Sequence, residues 1–319
     1  MRYGLIIGLG AGLASAVLFY SAARGSPLLG TVLVLLTPLP SMLAGLGWGW
    51  LPAALGAFAG SALMAVVASL PFAVGYFLAL GAPVAMAAYL AYLGRPHPND
   101  AAQREWYPAG RLVAALSLYG GTLPVMMLPL IGGTYEILRA PMGEFLRRLA
   151  ARAAPELGMP QLTDVQVDAL AELFIFILPG VVAAYWLGIF ALNLYLAGRV
   201  ARASGRLGRD WPDLPSLAYP LGFQLVLAIA LAATFAPGVL GVAGVGLSGA
   251  LLFAYFLAGL ALVHHIARAR APWILWFTYV GVLFIEPYTF ILLMLAGLLE
   301  PAFKLKQRFG KPPPSTPST

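Results

Sequence analysis

The sequence predicts an all-α polytopic membrane protein: about eight full spans and a C-terminal broken helical hairpin. Three observations carry this. The 319 residues are 61% hydrophobic and only 10% charged, against about 25% charge in a typical soluble domain. The mean hydropathy is +0.86, too high for a water-facing globule. Nearly uncharged stretches of about 18 residues or more recur, each long enough to cross ~30 Å of hydrocarbon as a helix. Backbone groups in lipid must pair internally, so the spans are expected to be helices. The short alternating segments of a barrel are absent.

Span 1 is Gly4 to Ala22, kept as a first helix because further spans follow it. It carries Gly8, Gly12 and Ala16 at four-residue spacing, a stripe that lets helix backbones approach closely. Packing within the chain and docking of a membrane partner both fit that stripe. Span 2, Pro27 to Leu46, contains Thr37-Pro38-Leu39-Pro40-Ser41. Each proline removes a donor and clashes one turn back, so a kink or interruption is expected at Pro38 and Pro40. Irregular backbone at membrane depth is tolerated only against protein or a polar cavity. Gly47-Trp48-Gly49-Trp50 reads as an interfacial turn. Span 3 is Leu51 to Leu70, with Gly56 and Gly60, and span 4 is Phe72 to Leu93, with Gly75, Gly81 and Pro83.

A polar loop, Gly94 to Gly110, precedes span 5, Leu112 to Ile131, which Gly120-Gly121, Pro124 and Pro129 interrupt. Gly132 to Asp168 is the longest hydrophilic segment. Within it Met142 to Ala154 is amphipathic: Phe145, Leu146 and Leu149 share a face, and Arg147, Arg148 and Arg152 spread over the other. A helix in the interface plane and a helix packed on the ends of the spans both satisfy this pattern. Span 6, Leu170 to Tyr195, holds Glu172, Pro179-Gly180 and Asn193. Span 7, Leu217 to Phe235, holds Gln224. Span 8, Val239 to Val263, opens on a flexible-looking Gly-rich run and leads to His264-His265, Arg268 and Arg270.

The last apolar run is Ala271 to Phe303, with Glu286, Pro287 and Tyr288 at its middle. With the N-terminus in the cytoplasm, the loops bearing Arg95, Arg199 to Arg209 and Arg268 fall inside, as the positive-inside rule requires. Lys304, Lys306, Arg308 and Lys311 stay inside only if the last run goes in and returns. As one helix the run is ~45 Å long, and as two halves ~22 Å each. A hairpin breaking at Glu286-Pro287-Tyr288 and not fully spanning fits best. Residues 1–303 then form one integral membrane domain, and 304–319 a basic, disordered cytoplasmic tail.

Zero cysteines exclude disulfides and thiol chemistry. The net charge of +7 sits mainly in loops, where it sets topology; it does not indicate nucleic-acid binding. No HExxH motif, phosphate loop or carboxylate-rich cluster occurs, so neither a metal nor another cofactor is expected, and an intramembrane enzyme is the weakest reading. Ser248, in Gly246-Leu247-Ser248-Gly249, lacks the setting of a nucleophile elbow. Glu286 is the best single candidate: an acid at membrane depth costs about 2.5 kcal/mol or more and is a functional group by default. A hairpin tip near the outer surface is the plainer account of it. Asn193, Gln224 and Glu172 read first as interhelical hydrogen-bonding groups, worth about 0.6 kcal/mol each. The alternative is that they line a substrate or coupling cavity with Pro38, Pro40, Glu286, Pro287 and Tyr288.

Two stretches carry a family resemblance. One is Leu36-Thr37-Pro38-Leu39-Pro40 with the glycine/tryptophan turn and small-residue span after it. The other is Gly259-Leu260-Ala261-Leu262-Val263-His264-His265 with the closing Leu295-Ala296-Gly297-Leu298-Leu299-Glu300. In these the chain resembles the YybS-like family of bacterial multispan membrane proteins, a domain of unknown function. That family is distantly similar to the substrate-binding subunits of energy-coupling-factor transporters, which dock on a membrane partner through small residues of their first helix. The resemblance implies a bacterial inner-membrane protein, with Gly8, Gly12 and Ala16 as a partner face. A transporter-like or substrate-binding subunit of unidentified small molecule and a non-transporting scaffold or assembly factor are the two functions it leaves open.

Overall fold

The computed structural model describes residues 2–97, 100–157, 162–269 and 271–309. Among the described residues, seven helical segments are long and apolar enough to cross a membrane: Arg2–Ala22, Pro27–Trp48, Trp50–Val67, Leu70–Ala91, Ala109–Ile131, Asp164–Ala203 and Gly238–Arg268. Three shorter apolar helices accompany them, Phe223–Ala233, Trp273–Phe284 and Tyr288–Phe303. The protein is a membrane-embedded helical bundle.

Helix α1 (Arg2–Ala22) lies against α4 (Trp50–Val67). A methyl at Gly8 would overlap the Pro52 backbone, and one at Gly12 that of Gly56. The stripe at Gly8, Gly12 and Ala16 is therefore an internal seam filled by α4, which leaves no room there for a partner. The outward face of α1 carries Tyr3, Ile6 and Val17 instead. Span 2 divides into α2 (Pro27–Leu36) and α3 (Leu39–Trp48) around Thr37 and Pro38. Gly49, at φ +102, makes the turn into α4. Span 4 comprises α5 (Leu70–Tyr76), a π-helical turn Phe77–Gly81 and α6 (Ala82–Ala91). Its Ser69 side chain accepts from the Phe72 amide and caps the start.

The expected polar loop after span 4 contains a β-hairpin, β1 (Gly94–His97) paired antiparallel with β2 (Asp100–Trp106). Helix α7 (Ala109–Met127) ends in a 3₁₀ turn. Helix α8 (Arg139–Leu157) packs on α9 (Asp164–Ala203) through Leu146, Val167 and Ala171. Arg147 pairs with Asp164 at 3.3 Å and with Asp168 at 3.9 Å. Phe145 and Leu149 of α8 are left exposed beside this contact.

Only Phe223–Ala233 of the seventh expected span is helical, forming α10. Pro220 and Gly222 (φ +84) hold the residues just before α10 out of helix. The Gly-rich run read as flexible is instead the ordered start of α11 (Gly238–Ala269). Its glycines sit at crossings: Gly246 abuts Gly121 and Gly249 abuts Gly180. The final run forms α12 (Trp273–Phe284) and α13 (Tyr288–Phe303), separated at Ile285 to Pro287. The tail expected to be disordered begins as helix α14 (Leu305–Phe309), and residues 310–319 lie outside the described residues.

The loops sort to two ends. Arg206 lies over Trp48, which neighbours Gly4; Arg209 donates to the Ala91 carbonyl at 2.5 Å; Arg268 pairs with Asp213 at 3.0 Å; Lys306 donates to the Leu217 carbonyl at 2.6 Å. The N-terminus, the arginine-rich loops and α14 thus share one end. Residues 128–139, the start of α9 and the α10–α11 turn share the other.

Candidate functional site

At the end away from the start of α1 and from α14, three elements diverge and leave a groove. One wall is the segment after α7, with Thr134, Tyr135, Glu136 and Arg139. The second is α9 from Ala169 to Pro179, and the third is the α10–α11 turn and α11 to Val245. The cavity volume is about 780 Å³, within the range of small-molecule sites. Local sequence explains the gap. Pro129 and Gly132–Gly133, both at positive φ in the glycines, stop α7 and send the chain sideways. Leu128 bonds in 3₁₀ fashion to Val125, and the Pro124 carbonyl so freed accepts from the Tyr135 hydroxyl at 3.0 Å. Burial pushes the Tyr135 phenol above its ordinary pKa. Pro179 at the groove floor deprives the Ile175 carbonyl of its helical donor.

The groove is amphipathic. Its rim holds Arg139, whose guanidinium lies 4.0 Å from the Glu136 carboxylate and 3.6 Å from that of Glu172. Below the rim the lining is Leu173, Ile175, Phe176, Val242 and Val245. Leu173, Phe176 and Val239 are each more than half exposed, so the groove opens sideways. From Ala169 to Pro179 it follows eleven residues of α9, a rise of ~15 Å, equal to half the ~30 Å hydrocarbon thickness.

A second feature lies deeper, where helices are irregular. Pro83 has no N–H, so the carbonyls of Leu78 and Ala79 in the π-helical turn lose donors. Tyr119 Oη donates to Leu78 at 2.7 Å and Trp186 Nε1 to Ala79 at 2.6 Å. At the span 2 break, Asn193 Nδ2 donates to the Leu35 carbonyl at 2.6 Å and to Ile189 of its own helix at 2.7 Å. Asn193 is fully buried, and its Oδ1 has no partner. Between the break and the π turn sits a polar pocket of about 10 Å³ lined by Ser15, Thr37, Ser41 and Tyr76, room for one water.

Of the residues expected to share one cavity, Asn193 and the Pro38–Pro40 break come together and Gln224 and Glu286 to Tyr288 lie apart. Asn193 reaches the break made by Pro38 and Pro40. Gln224 is exposed on α10. Glu286, Pro287 and Tyr288 form the exposed turn between α12 and α13. Phe290 stacks on Phe256 at 4.8 Å, which sets this turn near the midpoint of α11. His264 and His265 diverge: the first contacts the Tyr279 hydroxyl at 3.2 Å, the second the Lys306 carbonyl at 3.2 Å. Among the described residues no group of three His, Cys, Asp or Glu could hold a metal ion. Sequence reasoning missed the groove itself. Its available signals were Pro179-Gly180 inside span 6 and Glu172 near that span's start, beside the mixed charges Glu136 and Arg139.

Comparison with family models, with curated proteins and with solved structures returned no match. The functional argument therefore rests on the groove's own chemistry.

Proposed function

We propose that this chain is a substrate-binding membrane subunit of transporter type, whose substrate is an amphiphile taken from the bilayer into the groove between α7, α9 and α11. The observation that carries the reading is a charged rim above an apolar cleft whose flank is exposed along about 15 Å of α9. An ionic head meets the rim while a hydrocarbon chain replaces lipid against Leu173, Phe176 and Val242. Burying apolar area from water is worth about 25 cal/mol per Å², but a chain already in lipid gains little of this. Selection must then come from the head and from fit.

We orient the arginine-rich end, with both termini, toward the cytoplasm. The bacterial inner membrane follows from the family resemblance. The groove then faces outward, and α12 and α13 form a re-entrant hairpin. The experiment is photolabelling with a lipid whose acyl chain carries a diazirine. Label concentrated on α9 residues 173–179 and α11 residues 239–245 supports the reading; label spread evenly over all lipid-facing helices sinks it.

One observation favours the second reading, a scaffold. Glu286 stands exposed beside Leu283, Phe284 and Tyr288, all more than two-thirds exposed. An uncovered acid at that depth is costly, and a partner helix with a donor would relieve it. Cross-linking from position 286 that recovers no protein would remove this reading.

A further inference from the structure

We infer that the groove selects a zwitterionic head, a phosphodiester joined to a primary ammonium, with Arg139 holding the anion and Glu136 and Glu172 the cation. The inference rests on the reading that the groove holds an amphiphile, and it names the class. Its basis is the geometry of three charges around one mouth.

Arg139 stands between the two acids, 4.0 Å from Glu136 and 3.6 Å from Glu172. Both separations exceed a direct hydrogen bond. The carboxylates orient the guanidinium without saturating its five donors. Nη1 faces Glu136 and Nη2 faces Glu172, and at these separations both keep N–H groups that a phosphate oxygen can accept from. The two carboxylates in turn keep acceptor positions that Arg139 does not fill. Glu136 is held in place by its own backbone, whose N–H donates to Thr134 Oγ1 at 3.2 Å. Glu172 projects from α9 one turn above Phe176, at the level where the apolar lining begins.

Two carboxylates against one guanidinium give the rim a net negative formal charge. A purely anionic head would gain Arg139 and be repelled twice. A purely cationic head would face the guanidinium. A head with both signs matches all three groups, and a primary ammonium can donate to both acids, whereas a trimethylated one has no N–H to give. Like-charge juxtaposition is the usual source of such discrimination.

A lipid and a water-soluble ester carry the same head chemistry, so the experiment separates them. The full-length protein in detergent is titrated with dilauroyl phosphatidylethanolamine, phosphatidylcholine and phosphatidylglycerol, and with glycerophosphoethanolamine, read by native mass spectrometry. The expected result is that the ethanolamine lipid binds about tenfold tighter than the glycerol lipid, and tighter than the choline lipid. The soluble ester should bind far more weakly than the ethanolamine lipid. The double variant Glu136→Gln, Glu172→Gln should lose the preference while still binding the glycerol lipid. Arg139→Gln should weaken every phosphate-bearing lipid. All three positions are about half exposed or more, so these variants leave the core intact. Equal or tighter binding of the glycerol lipid by the unaltered protein overturns the head assignment and leaves the amphiphile reading standing. Binding of the soluble ester as tight as the lipid overturns the lipid as source. Absence of saturable binding by any lipid overturns the amphiphile reading and this inference with it.

Discussion

Asn193 offers the sharpest test of how the bundle tolerates its broken helices. It is fully buried and donates to the Leu35 carbonyl, the acceptor freed where Pro38 and Pro40 divide span 2. Asn193→Ala leaves that carbonyl unpaired away from water, a cost of about 1–3 kcal/mol in a protein interior. Bonds between membrane helices measure lower, about 0.6 kcal/mol on average. The side-chain oxygen, unpartnered in the parent, goes at the same time and returns part of the cost. The net expectation is a loss of about 1–2 kcal/mol. The assay is reversible unfolding in mixed micelles, run as a double-mutant cycle with Pro38→Ala, Pro40→Ala. Without the prolines the Leu39 N–H can bond the Leu35 carbonyl, so Asn193→Ala should cost about 1 kcal/mol less in that background. An equal loss in both backgrounds would refute the claim that Asn193 acts by satisfying the break.

Two other predictions concern packing and charge. Gly12→Leu should destabilise by about 3 kcal/mol or more, because its side chain would enter the Gly56 backbone. Gly10→Ala on the same helix meets no atom within 4 Å and should stabilise by up to about 1 kcal/mol; thermal unfolding of the pair checks both. At the β-hairpin, the Arg95 hydrogen bond and charge hold the Glu105 carboxyl below the usual carboxylate range. Its contribution is fully present above the unfolded value of about 4.3 and is lost as pH falls through the lower folded value. The protection factors of hairpin amides, with the intrinsic exchange rate divided out, should therefore fall at acid pH, and Arg95→Gln should remove that acid-side change.

Prolines made several features readable in the sequence. Pro38 and Pro40 mark the division of span 2, and Pro287 marks the turn between α12 and α13. Each works locally, by removing a donor and blocking the preceding turn. What the breaks do with their freed carbonyls was not readable. Asn193 and Leu35 are 158 residues apart, and nothing short-range in the sequence pairs them. The stripe at Gly8 and Gly12 was ambiguous for the same reason: small residues announce close approach without saying to what, and α4 supplies the answer. Pro96 and the polar residues around it hid the β-hairpin, because proline within a run argues against a strand. The groove was least visible. It is the space left where α7 stops and α9 and α11 continue, and Glu172 lies more than thirty residues from the Glu136 and Arg139 that it meets.

The measurement that bears most directly on the account is the photolabel map, read by peptide mass spectrometry in the parent and in Val242→Trp. Val242 lines the cleft, and an indole there would fill the acyl path without touching the rim. The account predicts label centred on residues 173–179 and 239–245 in the parent, and its loss in Val242→Trp while label elsewhere persists. Label on those segments that Val242→Trp leaves unchanged, or label no denser there than on the outward face of α1, would contradict it.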